Sequence, residues 1–170
     1  MTRSTTARHA PRLDLTAADV MEAEVVTVSR SAPLSEVERL LTEHRISGMP
    51  VVDVSDRAIG VVSYRDLLEH FEEDPETRPK HRLPDYYRIA TEEMREEDVE
   101  VGFEVPEESE DTAEDAMTHD VIHVRSDAPI AEVGRTMVER GVHRILVTDP
   151  KTERVVGIIS SMGLLAAIFR

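Results

Sequence analysis

A serine and an aspartate three residues apart, Ser63 and Asp66, stand where an apolar run gives way to a helical pattern in GVVSYRDLLEH, residues 60–70. At a helix start, Ser-x-x-Asp closes a capping box. The hydroxyl takes a first-turn N–H and the carboxylate reaches back to the serine's own N–H, which stabilises a helix by about 1 kcal/mol. The same pair has a second use. A carboxylate only accepts, and it takes two donors at once, while the open N–H groups of a helix start suit an anion. Four residues alone do not choose between capping and ligand binding. The chain nearly repeats them in GIISSMGLLAA, residues 157–167, where Ser63 returns as Ser160 and Leu67–Leu68 as Leu164–Leu165, but Gly163 replaces Asp66. A cationic pair, His143–Arg144, lies in GVHRILV, and its counterparts in the earlier copy are the small, uncharged Ser47 and Gly48. The copy with the carboxylate lacks the cations, and the copy with the cations lacks the carboxylate.

These residues belong to an internal repeat. At an offset of 96, Thr16, Ala17, Asp19, Met21, Val25 and Val28 recur as Thr112, Ala113, Asp115, Met117, Val121 and Val124. The register holds through Val51/Val147 and Asp53/Asp149, then becomes 97 after one inserted residue near Lys151, giving Gly60/Gly157, Ser63/Ser160 and Leu67/Leu164. Each unit has about 55 residues, too few for a comfortable core alone, so two units are expected to fold together. The expected boundaries are a flexible N-terminus over 1–12, repeats over 13–70 and 112–170, and an acidic insertion over 71–111.

The order of elements is read twice over. Thr16 with Asp19, and Thr112 with Asp115, predict short capped helices. EVVTV (24–28) and DVIHV (120–124) predict strands. Pro33 and Pro129 open helices whose apolar faces carry Leu34, Val37, Leu40 and Leu41, and Ile130, Val133, Met137 and Val138. GMPVVDV and RILVTD are the next strands, turned by SDRAIG and PKTERVVG into VVS and IIS, with a last helix beginning near each serine. Helix–strand–helix–strand–strand–helix, twice, is an α/β (α+β) class. In the insertion, EEDPETRPK reads as loop, LPDYYRIATEEMREED as a short helix, VEVGFEV as a strand or hairpin and PEESED as a link, and the two Tyr and one Phe suggest that part of it docks.

Composition narrows the function. The chain has 170 residues, 40 % hydrophobic and 4 % aromatic, with no Cys and no Trp. No disulfide framework, thiol nucleophile or Cys-rich zinc site is available. Net charge is −15, of which −14 falls between Glu69 and Asp115, leaving a nearly neutral body. No basic patch argues for nucleic acid. No stretch has the length of a membrane span or the h-region of a signal peptide, so a soluble cytoplasmic protein is expected. His119 and His123 flank a strand, where residues four apart stand ~13 Å from each other, and no HExxH, P-loop or GxGxxG pattern occurs. Neither catalysis nor a metal site is expected.

With the motifs in place, ADVME…PLSEVERLLTEHRISGMPVVD…AIGVVSYRDLL and EDAMT…PIAEVGRTMVERGVHRILVTD…VVGIISSMGLL resemble two CBS (cystathionine-β-synthase-type) domains in tandem. The resemblance implies two β-α-β-β-α repeats packed about a pseudo-twofold axis, with clefts that commonly bind AMP, ADP, ATP or S-adenosylmethionine, and a regulatory module that is not an enzyme and often forms a homodimeric disc. By that resemblance Asp66 accepts the ribose hydroxyls and Ser63 lies near the phosphate. His143 and Arg144 meet the phosphate from the other copy, with Ser160 and the helix-start Arg65 as weaker candidates. Val26, Met49, Pro50 and Ile145 line an adenine pocket or simply pack the core. Gly163 cannot hold a ribose, which implies one site and not two. No cofactor is required beyond the adenosine nucleotide as ligand. The alternative is a ligand-free homodimer presenting its acidic insertion to an unidentified protein partner.

Overall fold

The computed structural model describes residues 12–72, 105 and 109–169. The readings made for 1–11 and for most of the insertion lie outside the described residues. In chain order the elements are α1 (Ala17–Val20), β1 (Val28–Ser29), α2 (Leu34–His44), β2 (Gly48–Val52), β3 (Ala58–Ser63), α3 (Tyr64–Glu72), α4 (Ala113–Ala116), β4 (His123–Arg125), α5 (Ile130–Arg140), β5 (Arg144–Thr148), β6 (Val155–Ser160) and α6 (Ser161–Phe169). This is the expected order, twice. The result is a mixed α/β chain with two three-stranded sheets, β1-β2-β3 and β4-β5-β6, in which the first pair of each is parallel and the second antiparallel.

The two compact units are not the two sequence repeats. One comprises Val26–Val121 and the other Met1–Val25 with Ile122–Arg170. Each therefore takes the short capped helix of the opposite repeat. In the first, α4 presents the N–H groups of Ala113 and Glu114 to the carbonyls of Ala32 and Arg30, at 2.8 and 3.0 Å. In the second, α1 presents Ala17 and Ala18 to Ala128 and Ser126, at 2.8 and 2.9 Å. These are the N–H groups a helix start leaves without intrahelical partners. Both capping boxes form as expected, and Thr16 and Thr112 donate backbone N–H and hydroxyl to Asp19 and Asp115. Those bonds hold both carboxyls below the usual carboxylate pKa, the backbone N–H of the threonine being the largest cause. The methionine that follows each helix lies over a strand glycine of its unit, Met117 over Gly60 and Met21 over Gly157, where any Cβ would meet the thioether. That close approach accounts for the repeated Met and Gly.

Each unit has its own apolar core. Leu34, Val37, Leu41, Met49, Val51, Val62, Tyr64, Leu67 and Phe71 are buried in the first, with Ala113 and Met117 from beyond the insertion. Ile130, Val133, Met137, Ile145, Val147, Ile159 and Leu164 are buried in the second with Ala17. Val105 is buried in the first core and donates its N–H to Glu38.

Two expectations are corrected. Val138 is not on the buried face of α5 but 82 % exposed, because 3.6 residues per turn carry it about 100° beyond Met137. The strands expected over 24–28 and 120–124 lie later, at Val28–Ser29 and His123–Arg125, because pairing begins only where the central strand faces them. Pro50 explains why β1 is the shorter. In the second unit Leu146 donates its N–H to the Ile122 carbonyl at 3.2 Å. The matching donor in the first unit would be Pro50, which has no N–H, so the Val26 carbonyl lacks that ladder bond.

Candidate functional site

In the unit Val26–Val121, β3 ends on Ser63 and α3 begins at once, so the serine is the cap and Asp66 sits in the first turn. The half-buried carboxylate is held from two sides. Its Oδ2 accepts the Ser63 N–H at 2.7 Å and the Ser63 hydroxyl. Its Oδ1 accepts the Thr118 hydroxyl at 3.0 Å. The capping reading is therefore realised, and of the roughly four acceptor positions of a carboxylate three are engaged. Gly48 stands opposite Ser63 in the ladder, and a Cβ there would lie 3.1 Å from the Ser63 Cβ, so a bare backbone lies beside the cap. Met49 pairs with Val62 and Pro50 with Val61. Both are buried, Met49 among the core residues, and Val26 packs on the edge of that core. Arg65 pairs with Glu69 at 2.6 Å, its side chain 81 % exposed.

The other unit brings together His143, Arg144, Ile145 and Ser160. Arg144 opens β5 directly opposite Ser160, and the Ser161 N–H bonds the His143 carbonyl at 2.9 Å. Ile145 is buried in the core. The Ser160 hydroxyl accepts the Gly163 N–H at 3.0 Å, so this serine caps α6 with no carboxylate to reach back. Thus the first unit places a fixed acceptor at a helix start, and the second places a capping serine opposite Arg144 in the ladder, next to His143 in the chain.

Thr118 was missed in the sequence. Its contact with Asp66 spans 52 residues across the acidic insertion, and no local pattern marks it. The one available signal was its repeat counterpart, Glu22, a residue of different chemistry at the same place. A depression of about 520 Å³ also lies in the first unit, at the far end of β2 from Ser63, lined by Ser29, Arg30, Asp53, Asp56 and Glu114 among others. No candidate residue faces it. Arg30 is spent there in a two-pronged ion pair with Glu114, and Asp53 accepts the Ser55 and Arg57 N–H groups of the hairpin turn.

The CBS domain profile matches residues 17–73 and 113–170, the two repeats almost from end to end. The chain belongs to the CBS domain family. An uncharacterized protein of Methanocaldococcus jannaschii, MJ1232, is 27 % identical over 150 residues, covering 88 % of this CBS chain and 38 % of its own length. The inosine-5'-monophosphate dehydrogenase of the same organism is 24 % identical over 147 residues, covering 86 % of this chain and 22 % of its own. The chain therefore spans well under half the length of these two relatives. Among solved structures, CBSX2 in complex with AMP superposes with a TM-score of 0.61 at 21 % identity, covering 89 % of this chain and 94 % of that one. The CBS domain pair of protein MJ0100, in complex with 5'-methylthioadenosine and S-adenosyl-L-methionine, gives 0.58 at 20 %, with the same coverage. These likenesses show the fold, a CBS domain pair. Among the described residues no helix is long and apolar enough to cross a membrane.

Proposed function

We propose that this CBS pair is a regulatory module without catalysis that binds one adenosine nucleotide, AMP, ADP or ATP, and that Asp66 is its ribose acceptor. The observation that carries the reading is the Asp66 carboxylate, fixed at the start of α3 by Ser63 and Thr118 with acceptor capacity remaining. It is supported by the adenosine ligands of the two CBS structures above. When a ribose arrives, the Ser63 hydroxyl turns from Oδ2 toward the phosphate, so that both carboxylate oxygens meet the diol. The Val26 carbonyl, left without its ladder bond by Pro50, is the acceptor that an adenine amino group needs.

A thermal-shift panel on the whole chain tests this. AMP, ADP or ATP at about 100 times its dissociation constant adds about 2.7 kcal/mol, a rise of about 5–10 °C for a chain of this size. Inosine monophosphate, which has no amino group to offer Val26, gives a smaller rise. A panel in which no nucleotide moves the midpoint rejects the reading.

A second reading, self-association, rests on α6. Met162, Leu165 and Phe169 recur on one helical stripe and are 71, 48 and 67 % exposed, whereas the counterpart of Met162 on α3 is the charged Arg65. Exposed Glu132, Arg135, Glu139 and Arg140 on α5 provide both signs of charge, which suits an isologous contact with a second copy. Light scattering is expected to give a dimer that Met162→Glu with Phe169→Glu converts to monomer. A monomeric wild type at micromolar concentration removes the proposal.

A further inference from the structure

We infer that Thr118 is the positioning residue that makes Asp66 a discriminating ribose acceptor, so that it sets the preference for ribose over deoxyribose. This inference rests on the nucleotide reading above and adds a residue to it from beyond the insertion.

The geometry is specific. The Thr118 N–H and carbonyl both bond Val61, each at 2.9 Å, which fixes the backbone beside β3. From that anchor the hydroxyl reaches Asp66 Oδ1 at 3.0 Å, while the Ser63 N–H holds Oδ2 at 2.7 Å. Two donors from separate chain segments, one on each oxygen, fix the plane of the carboxylate. With Ser63 alone the group would be tied at one oxygen and free to turn about its terminal torsion, which is broad.

The second unit is an internal control. Glu22, the counterpart of Thr118, makes the same two-way backbone bridge, to Ile158 at 2.9 and 3.0 Å. The bridge therefore does not need threonine. Its hydroxyl donor occurs in the unit that has Asp66 to receive it. Where Gly163 removes the acceptor, the matching position carries Glu22, which has no side-chain hydroxyl to donate. The threonine side chain serves the carboxylate and not the strand.

A fixed carboxylate meets both hydroxyls of a vicinal diol, and an analogue lacking one leaves a polar group of the site unpaired. That is the kind of defect by which a hydrogen-bonding site rejects an incomplete ligand strongly. A carboxylate free to turn re-aims at whichever hydroxyl remains and loses the distinction.

The test is isothermal titration of the full chain with AMP, 2'-deoxy-AMP and 3'-deoxy-AMP. Wild type is expected to prefer AMP over either analogue by about tenfold or more. Thr118→Val keeps the branched shape and removes the donor. It is expected to weaken AMP by about tenfold and bring the AMP-to-deoxy ratio toward one, while Thr118→Ser retains both. The inference is overturned if Thr118→Val leaves affinity and ratio unchanged, if it tightens AMP, or if all three ligands weaken equally with the ratio preserved, which is what a merely structural role would give. Circular dichroism verifies the fold of each variant, and Thr118→Ala carries the same expectation should the valine not fold. If Asp66→Ala lowers AMP affinity but Thr118→Val does not alter the ratio, this inference fails alone. If wild type binds none of the three, the nucleotide reading fails and takes this with it.

Discussion

Asp66→Ala is expected to weaken AMP by roughly 100-fold and to leave the protein folded. Two hydrogen bonds from ribose hydroxyls to an ionised carboxylate contribute roughly 1.5–3 kcal/mol each, and 100-fold corresponds to about 2.7 kcal/mol, so the expectation sits at the cautious end. The cost to folding is smaller. Removing the carboxylate opens the Ser63 cap and releases the Thr118 hydroxyl, and a lost cap costs about 1 kcal/mol, well inside the total of roughly 5–15 kcal/mol for a domain. Asp66→Asn separates charge from shape, because it keeps one acceptor oxygen but turns the other position into a donor facing Ser63 or Thr118. Its affinity is expected to fall between those of wild type and the alanine variant. Titration calorimetry measures the affinity and urea unfolding the stability. An alanine variant that binds AMP as wild type does, with its stability lowered by the cap alone, would make Asp66 a capping residue and nothing more.

How far the fold was legible follows from which interactions are local. The two capping boxes, the Pro-led helices and the hairpins rest on residues a few positions apart, and all of them appear where the repeat places them. The length of β1 depends on a single missing N–H at Pro50, more than twenty residues away from Val26, so composition alone overextended the strand. Val138 was misplaced because apolar character was read in place of angle. The assignment of α1 and α4 to units opposite their own repeats has no local signature, because each helix carries the same sequence signals whichever sheet receives it. The site divides in the same way. Ser63 and Asp66 were visible as a motif, whereas Thr118 depends on the chain returning across the insertion.

The stability of the site's scaffold has a sharper handle in Leu67. It follows Asp66 on α3, is fully buried, and packs in the cluster with Leu34, Val37, Leu41, Met49, Val62 and Phe71. A helix of nine residues is too short to persist on propensity, so its packed face holds it in place. Leu67→Ala removes buried methyl groups and leaves a cavity that the surrounding strands fill only in part, at a cost of about 2–5 kcal/mol. The expected result is a large fall in the urea midpoint with the slope unchanged. Ligand linkage then connects packing to function. AMP at about 100 times its dissociation constant returns about 2.7 kcal/mol, so saturating AMP offsets much of the loss in Leu67→Ala. The same AMP is expected to return only about 0.4 kcal/mol to Asp66→Ala, whose affinity is lowered about 100-fold. Denaturation of the two variants with and without AMP therefore distinguishes the residue that supports α3 from the residue that α3 presents. Equal rescue of both variants would place the ribose contact somewhere other than Asp66.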